Sequence, residues 1–161
     1  MSAAIINSDK VISTLILKKM FIAGYKMLDT NKETVNALNV FPVPDGDTGI
    51  NMSLTMQSAI KEISSTPSIS MEAFTSGLAK GALSGARGNS GVILSQIIKG
   101  FATGIKKEEV DIKQFAKALK NGVEMAYNAV SKPKEGTILT VCRMVSEYAQ
   151  TVCGKNKDFE I

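Results

Sequence analysis

The sequence predicts an all-α fold of roughly seven helices joined by short connections. Apolar residues recur at helical spacing along most of the 161 residues, and valine and isoleucine follow the same spacing, so no convincing set of strands emerges. The core has to be aliphatic, because 44% of the residues are hydrophobic but only 6% are aromatic, with no tryptophan. We therefore expect one helical domain over residues 1–161.

The N-terminal part is predicted to hold two helices and then a rigid loop. The first helix runs from a cap at Ser8 or Asp9 to about Asp29, and a short second helix covers Lys32–Leu38. The loop at 41–49 carries two of the four prolines, each of which restricts the residue before it to extended geometry. We therefore expect this segment to keep one shape instead of continuing the helix.

Further helices are predicted after this loop, bounded by glycine, proline or polar capping residues. A polar linker at Ser64–Ser70 contains Pro67, and Ser70 is the expected cap of the helix that follows. On the last helix Arg143 and Glu147, four residues apart, are predicted to form an ion pair. The predicted ranges are Ile50–Ile63, Met71–Ala86, Gly91–Thr103, Asp111–Val130 and Thr137–Val152.

Charge and composition limit the partners and the chemistry. The net charge of +4 favours an anionic partner only weakly. Lysine residues are spread among glutamate and aspartate, and no aromatic residues alternate with them, so we predict no nucleic-acid binding. Cys142 and Cys153 form no CxxC pair and the chain has no histidine, which argues against a zinc site. The commonest general base is also missing, so catalysis has to use carboxylates, metals, backbone donors or cations.

No targeting or membrane segment is predicted. Asp9 and Lys10 precede the first apolar stretch, and Lys18 and Lys19 interrupt it, unlike in a signal peptide. No apolar run approaches the roughly 20 residues of a membrane-spanning helix. We therefore expect a soluble, cytoplasmic protein.

The loop Pro44–Met52 is too specialised for a simple connector. Asp45 and Asp47 lie one residue apart on a loop that contains glycine, so both carboxylates can turn toward one centre, and hard divalent cations prefer such oxygen ligands. Thr48 and Asn51 fall at the start of the next helix, where free backbone N–H groups can meet an anion. A plain turn that caps the helix explains this motif about equally well when it is taken alone.

A second loop, Ser84–Gly91, joins two predicted helices through glycines. Its small residues allow a phosphate or a ribose to approach the backbone, and Arg87 can pair with phosphate oxygens. Taken alone, the loop is better explained as an ordinary helix–helix corner. The turn Lys132–Thr137 is a weaker candidate, in which Gly136 and Thr137 open the last helix, and a simple turn explains it better.

Three familiar ligand-binding motifs are excluded. A calcium EF-hand needs a glycine and a closing glutamate where this chain has Ile50 and Met56. The second loop lacks the GK[ST] ending of a P-loop. It also lacks the preceding strand of the dinucleotide-binding fingerprint.

Two stretches together resemble the DhaL-type kinase domain, the nucleotide-binding domain of dihydroxyacetone kinases. They read NVFPVPDGDTGINM at 39–52 and GARGNSGVILSQ at 85–96. The likeness is closer to the variant in bacterial fatty acid kinases, in which a catalytic subunit works with a fatty-acid-binding subunit. KP at 132–133 and EGTILTV at 135–141 are also similar to that variant. The resemblance covers nearly the whole chain, and the first two motifs together favour the functional interpretation of both loops.

The resemblance implies an antiparallel helical barrel of about seven to eight helices, with ATP or ADP at one rim. It implies two Mg²⁺ ions held by aspartates between the phosphates and the first loop. Asp45 and Asp47 match the family's metal-binding and catalytic pair. The nucleotide-binding positions that it carries over to this chain are Thr48, Gly49, Asn51, Met52, Ser84, Gly85, Arg87, Asn89, Ser90, Gly91 and Thr137.

The chain departs from the dihydroxyacetone kinases at the third metal ligand. Those enzymes carry a further aspartate shortly before the pair, whereas this chain offers Asn39 at a spacing one residue longer. The Asn39 amide oxygen, or a water molecule, is the expected substitute. Fatty-acid-kinase-like proteins also continue well past Lys155–Ile161, with a further helix, a glycine-rich segment and additional domains. We therefore expect a truncated domain that lacks full activity alone.

Together these observations predict an Mg-ATP-dependent kinase. Phosphoryl transfer needs positioning and charge neutralisation more than covalent help. A fatty acid carboxylate is already an anionic nucleophile, so we expect a fatty acid presented by a separate fatty-acid-binding protein or phosphoacceptor subunit, with a homodimer as one assembly. The alternatives are a dihydroxyacetone (glycerone) kinase subunit, a nucleotide-binding regulatory module without catalysis, and a purely structural helical domain.

Overall fold

The computed structural model describes residues 10–40, 43–65, 70–155 and 159, and it confirms the all-α fold. Within these residues seven helices follow one another, and the β-structure is one pair of three-residue strands. The helices are α1 (Thr14–Thr30), α2 (Lys32–Ala37), α3 (Thr48–Ser65), α4 (Met71–Ser84), α5 (Gly88–Gly104), α6 (Ile112–Asn128) and α7 (Ile138–Cys153). The strands are β1 (Val11–Ser13) and β2 (Glu109–Asp111).

The segment before α1 is a strand where the sequence predicted helix. β1 pairs with β2 in antiparallel register, and Ile12 lies opposite Val110, with both side chains buried. The cap of α1 is Ser13, whose hydroxyl accepts a hydrogen bond from the Ile16 N–H at 3.4 Å. The prediction missed this pair because three residues are too few to show an alternating pattern, and the partner strand lies far away in the sequence.

The predicted helix boundaries hold where a local capping residue marks them. The caps at Ser70 and Asp111 are confirmed, since each side chain accepts a hydrogen bond from a backbone N–H three residues on, at 3.2 and 2.8 Å. α5 begins at Gly88 instead of Gly91, because the turn that follows α4 ends at Arg87, the capping position of α5. Outside the described residues lie the expected cap at Ser8 or Asp9 and the prolines Pro42 and Pro67.

The helices pack in chain order around a core of aliphatic side chains and several phenylalanines, so the predicted aliphatic core is only partly right. α3 contacts α4, α4 contacts α5, α5 contacts α6 and α6 contacts α7, while α1 and α2 lie against α3. Edge-to-face phenylalanine pairs cross this core with ring centroids 5.4–6.1 Å apart, a geometry that stabilises beyond simple burial. Their members are Phe21, Phe74, Phe101, Phe115 and Phe159.

The last helix, α7, lies at the outside of the bundle and packs mainly against α6. Val141, Met144, Val145 and Tyr148 are more than half exposed along it. Among the described helices, none is long and apolar enough to cross a membrane. The peripheral position of α7 places the α6–α7 loop at the edge of a cavity of about 720 Å³.

Candidate functional site

A cavity of about 720 Å³ lies where three helices begin. Its wall takes in the α2–α3 loop, the first turns of α3, α5 and α7, and the α6–α7 loop. A helix N-terminus carries unpaired N–H groups and the positive end of the helix dipole. The cavity is therefore a place where the positive ends of three helix dipoles favour an anion.

Both predicted catalytic carboxylates lie on this wall. Asp45 and Asp47 flank Gly46, whose positive φ of 67° bends the loop between them. The Asn39 side-chain amide donates to Asp45 Oδ1 at 2.7 Å, and its role as a metal ligand stays a prediction. No side chain or N–H group in the described part of the chain bonds to the Asp47 carboxylate, which leaves it available to a ligand.

The start of α3 is held by Asn36 of α2, a residue that sequence reasoning missed. The Asn36 side-chain oxygen accepts hydrogen bonds from the N–H groups of Gly49 and Ile50, at 2.8 and 3.2 Å. The helix thereby begins at Thr48 instead of the predicted Ile50. No local pattern marks Asn36, because the nearer of its two partners lies 13 residues further along the chain. The N–H groups of α3 that an anion was expected to meet are thus partly occupied by the protein itself.

The corner between α4 and α5 is fixed to α3 by a short chain of hydrogen bonds. The Arg87 N–H donates to the Thr55 hydroxyl at 3.2 Å, and that hydroxyl donates to the Asn51 carbonyl at 2.7 Å. Gly88 follows with a positive φ of 58°, and no side chain caps the helix. α5 therefore begins at the cavity wall beside Asn89 with first-turn N–H groups that have no acceptor within the described residues.

The cavity brings together eight of the fourteen predicted site residues. They are Asn39, Asp45, Asp47, Thr48, Met52, Asn89, Ser90 and Thr137. The remaining six do not line it, and these are Gly49, Asn51, Ser84, Gly85, Arg87 and Gly91. Two of these six bond to nearby backbone, since the Ser84 hydroxyl donates to the Lys80 carbonyl of α4 at 2.5 Å and the Arg87 guanidinium donates to the Ala86 carbonyl at 3.1 Å. Nucleotide binding by these residues stays a prediction.

The rest of the wall is largely apolar and was not predicted. Leu38, Val40 and Val43 are exposed beside the loop that carries Asp45 and Asp47, called here the aspartate loop, and Val92 and Ile93 follow on α5. Ligand pockets commonly combine such apolar surface with a few polar groups. The available sequence signal was the cluster of apolar residues around the prolines of a surface loop.

The α6–α7 loop adds two cations and a helix cap to the wall. Lys132, Lys134 and Thr137 all line the cavity. The Thr137 hydroxyl accepts the Leu139 N–H at 3.3 Å and donates to the Lys134 carbonyl at 2.8 Å, so it fixes the loop to the start of α7. The lysines were not among the predicted site residues, although the Lys-Pro-Lys order at a turn was a usable signal.

The carboxylate of the same loop, Glu135, is engaged by neighbouring helices. It accepts hydrogen bonds from Thr140 at 2.8 Å, from Arg143 at 2.9 Å and from the Tyr127 hydroxyl at 3.2 Å. These bonds, that from Thr140 foremost, hold the pKa of Glu135 below its ordinary value. Arg143 also pairs with Glu147 at 3.2 Å, which confirms the predicted ion pair.

The oxygen ligands on the wall fit a Mg²⁺ ion that shares its coordination with a substrate. Within the described residues no group of three or more His, Cys, Asp or Glu side chains is placed to hold a metal. Mg²⁺ usually binds one or two carboxylates together with waters and substrate phosphates. Asp45 and Asp47, with the Asn39 amide beside them, supply such a partial set.

Known relatives of the chain are bacterial proteins of greater length. The chain is 50% identical over 141 residues to Protein YloV of Bacillus subtilis (strain 168), a match that takes in 87% of this chain and 26% of that protein. An uncharacterized protein of Staphylococcus epidermidis (strain ATCC 12228 / FDA PCI 1200) and one of Staphylococcus aureus (strain USA300) are each 46% identical over 140 residues, or 86% of this chain. The chain spans about a quarter of the length of these relatives.

The family model of the DAK2 domain matches residues 42–160. This range is most of the chain, and it contains both aspartates, the α4–α5 corner and the α6–α7 loop. The match confirms the resemblance to the DhaL-type domain of the dihydroxyacetone kinase family, while a special closeness to fatty acid kinases stays a prediction. The chain belongs to the DAK2 domain family.

Proposed function

We propose that this chain is the Mg-ATP-binding kinase domain of a phosphotransferase that phosphorylates a fatty acid carboxylate presented by a separate binding protein. Membership of the DAK2 family supports nucleotide binding. The observation that carries the proposal is the cavity, where two carboxylates share one wall with the starts of three helices. Such a wall suits a metal–triphosphate complex, because carboxylates bind the metal and N–H groups bind phosphate.

Each part of the wall has a separate role in this proposal. Asp45 and Asp47 bind the metal, and Asn89 with the first turn of α5 receives phosphate oxygens. When bound, Mg²⁺ offsets the charge of the triphosphate and stabilises the transferring group. Ile93 and Ile138 belong to the apolar wall and offer contact area to the adenine base.

A carboxylate acceptor fits the chemistry of this chain. The chain contains no histidine, and the two aspartates of the wall serve the metal. A fatty acid carboxylate is already ionised near neutral pH, so its oxygen attacks the γ-phosphorus without giving up a proton while the bond to the ADP oxygen breaks. An alcohol acceptor would need a base from a partner or from another part of the protein.

Calorimetric titration with ADP, with and without Mg²⁺, tests the metal–nucleotide site. Asp45→Asn combined with Asp47→Asn removes both charges but keeps the side-chain shape, and we expect the Mg-dependent affinity to fall about a hundredfold. Glu109→Gln combined with Glu124→Gln is the matched control, because it removes the same charge outside the cavity. An aspartate variant that binds Mg·ADP as tightly as this control contradicts the proposed site.

Turnover with different acceptors tests the reaction. With ATP, Mg²⁺, a fatty acid and its binding protein, the expected product is an acyl phosphate, which hydroxylamine traps as a hydroxamate. Phosphorylation of dihydroxyacetone in its place would favour the dihydroxyacetone kinase alternative. Nucleotide binding without transfer to either acceptor would favour a regulatory module.

A further inference from the structure

The α6–α7 loop brings two lysines without carboxylate partners to the cavity wall. Lys132 and Lys134 both line the cavity and are exposed. No ion pair or hydrogen bond within the described residues engages either ammonium group. Two positive charges therefore stand at the wall that also holds Asp45 and Asp47.

The one carboxylate of this loop does not neutralise them. Glu135 follows Lys134 directly, but its oxygens accept hydrogen bonds from Tyr127 of α6 and from Thr140 and Arg143 of α7. The Arg143 guanidinium pairs with Glu135 at 2.9 Å and also with Glu147 at 3.2 Å, so the Glu135 carboxylate is held toward α7. One side of the loop thus links α6 to α7, and the other side carries two lysines that line the cavity and make no ion pair within the described residues.

The backbone on both sides of Glu135 is fixed as well. The Thr137 hydroxyl donates to the Lys134 carbonyl at 2.8 Å, and the Gly136 N–H donates to the Thr140 hydroxyl oxygen at 2.8 Å. Gly136 has a positive φ of 80°, which most other residues adopt only with strain. The Lys134 side chain therefore starts from a backbone whose shape is set before any ligand arrives, which lowers the entropy lost on binding.

We propose that Lys132 and Lys134 bind the phosphate chain of the nucleotide, and that Glu135 is a positioning residue that holds their loop against α6 and α7. This inference rests on the proposed nucleotide site and extends it to the opposite loop. The ligand would contact two ammonium groups, the free N–H groups of α5 and a metal ion bound by the two aspartates. Such a ligand must carry several negative charges close together. A chain of phosphates has this charge and also bridges to the metal.

Affinity for ligands with different numbers of phosphates tests the lysines. Lys132→Gln and Lys134→Gln are each expected to weaken Mg·ATP binding about tenfold and AMP binding much less, because AMP lacks the outer phosphates. Lys117→Gln is the charge-matched control, since Lys117 is exposed on α6 and does not line the cavity. Lysine variants that match this control for ATP overturn the inference, while loss of Mg-dependence in the aspartate variant would still support the metal site.

Inorganic tripolyphosphate with Mg²⁺ separates the two proposals. If the protein binds tripolyphosphate through the lysines but does not bind ATP, the result would support phosphate binding by the α6–α7 loop. It would overturn the proposed nucleotide site. A folded wild-type protein that binds neither ligand overturns both.

A double-mutant cycle tests the positioning role of Glu135. Glu135→Gln removes the charge that Arg143 holds, and we expect Mg·ATP affinity to fall about threefold in the wild-type background. In the variant that lacks both lysines the same substitution should have no further effect, because the loop then has no cation left to place. An equal loss in both backgrounds would show that Glu135 does not act through the lysines.

Discussion

The starts of α3 and α5 border the same cavity, but their backbone N–H groups differ in whether the protein supplies an acceptor. At α3 the Asn36 side chain accepts the N–H groups of Gly49 and Ile50, so this helix end is closed from within the fold. At α5 the residue in the capping position is Arg87, whose side chain makes no capping bond. Asn36 thus anchors the helix that follows Asp45 and Asp47, whereas α5 has first-turn N–H groups without an acceptor in the described residues, where we propose that the ligand binds.

The largest effect is expected at Gly49, where α3 meets α2 without room for a side chain. A Cβ on Gly49 would overlap the Lys32 carbonyl oxygen and lie 2.8 Å from the carbonyl carbon. Because backbone cannot turn aside as a flexible side chain can, Gly49→Ala should lower the free energy of unfolding by about 3 kcal/mol in urea titrations.

Gly24→Ala is the control for this substitution. Gly24 lies inside α1, and nothing stands within 4 Å of an added Cβ. Its replacement should raise the free energy of unfolding by about 0.5 kcal/mol, because alanine loses less backbone entropy than glycine. Equal urea midpoints for the two variants would contradict the close packing of α3 against the backbone of α2.

The second effect concerns the side chain that closes α3. Asn36→Ala leaves two N–H groups at the partly buried start of α3 without their acceptor, so we expect a loss of about 2 kcal/mol of stability, measured by urea or thermal unfolding. Asn31→Ala is the matched control, since Asn31 is exposed and its side chain bonds only to the preceding helix. A loss no greater than that of the control would mean that α3 is held by its packing alone.

A third substitution should change stability and binding in opposite directions. Asn89→Asp adds a negative charge at the open start of α5, which should raise stability by about 0.5 kcal/mol through the helix dipole. The same charge repels phosphate, so Mg·ADP affinity should fall about tenfold in calorimetry. Asn31→Asp adds an equal charge away from the cavity. A variant at Asn89 that binds as tightly as this control would contradict the assignment of α5 to the ligand.

The smallest effect is expected at Asp29, which ties the end of α1 to both neighbours of the aspartate loop. Its carboxylate accepts the Ser53 hydroxyl of α3 at 2.7 Å and the Lys32 ammonium of α2 at 2.9 Å. The bond from Ser53 is the main cause that lowers the pKa of Asp29. Because the folded pKa lies below the unfolded one, the stabilisation is complete above the unfolded pKa and is lost as the pH falls through the folded pKa.

Carboxyl NMR titration checks this sign directly. We expect a pKa of Asp29 below its ordinary value, and Asp29→Asn should flatten the acid side of the stability profile slightly. A titration midpoint at or above the ordinary value would contradict the hydrogen bonds described here.

The parts of the fold that the sequence predicted correctly depend on local chemistry. Helical spacing of apolar residues gave the seven helices, and the caps at Ser70 and Asp111 each act on a backbone group three residues away. The strand Val11–Ser13 was missed because its partner comes from a distant part of the chain, so no short window contains both strands.

The candidate site divides in the same way. Asp45 and Asp47 were found because their type and spacing point to metal chemistry without any partner. Asn36 was missed, and Lys132 lay in a turn that was only a weaker candidate, because the two residues come close to the start of α3 only when the chain folds. Sequence patterns indicate contacts between residues that are close in the chain, whereas these two residues act through contacts between distant segments.

The hydrogen bond from Tyr127 to Glu135 gives the molecule an optical property. The chain has three tyrosines and no tryptophan, so its ultraviolet emission comes from phenol rings alone. A carboxylate that accepts a hydrogen bond from the phenol hydroxyl quenches this emission, and Glu135 accepts such a bond from Tyr127 at 3.2 Å. A ligand that shifts the α6–α7 loop will therefore change the fluorescence of the protein without any added dye.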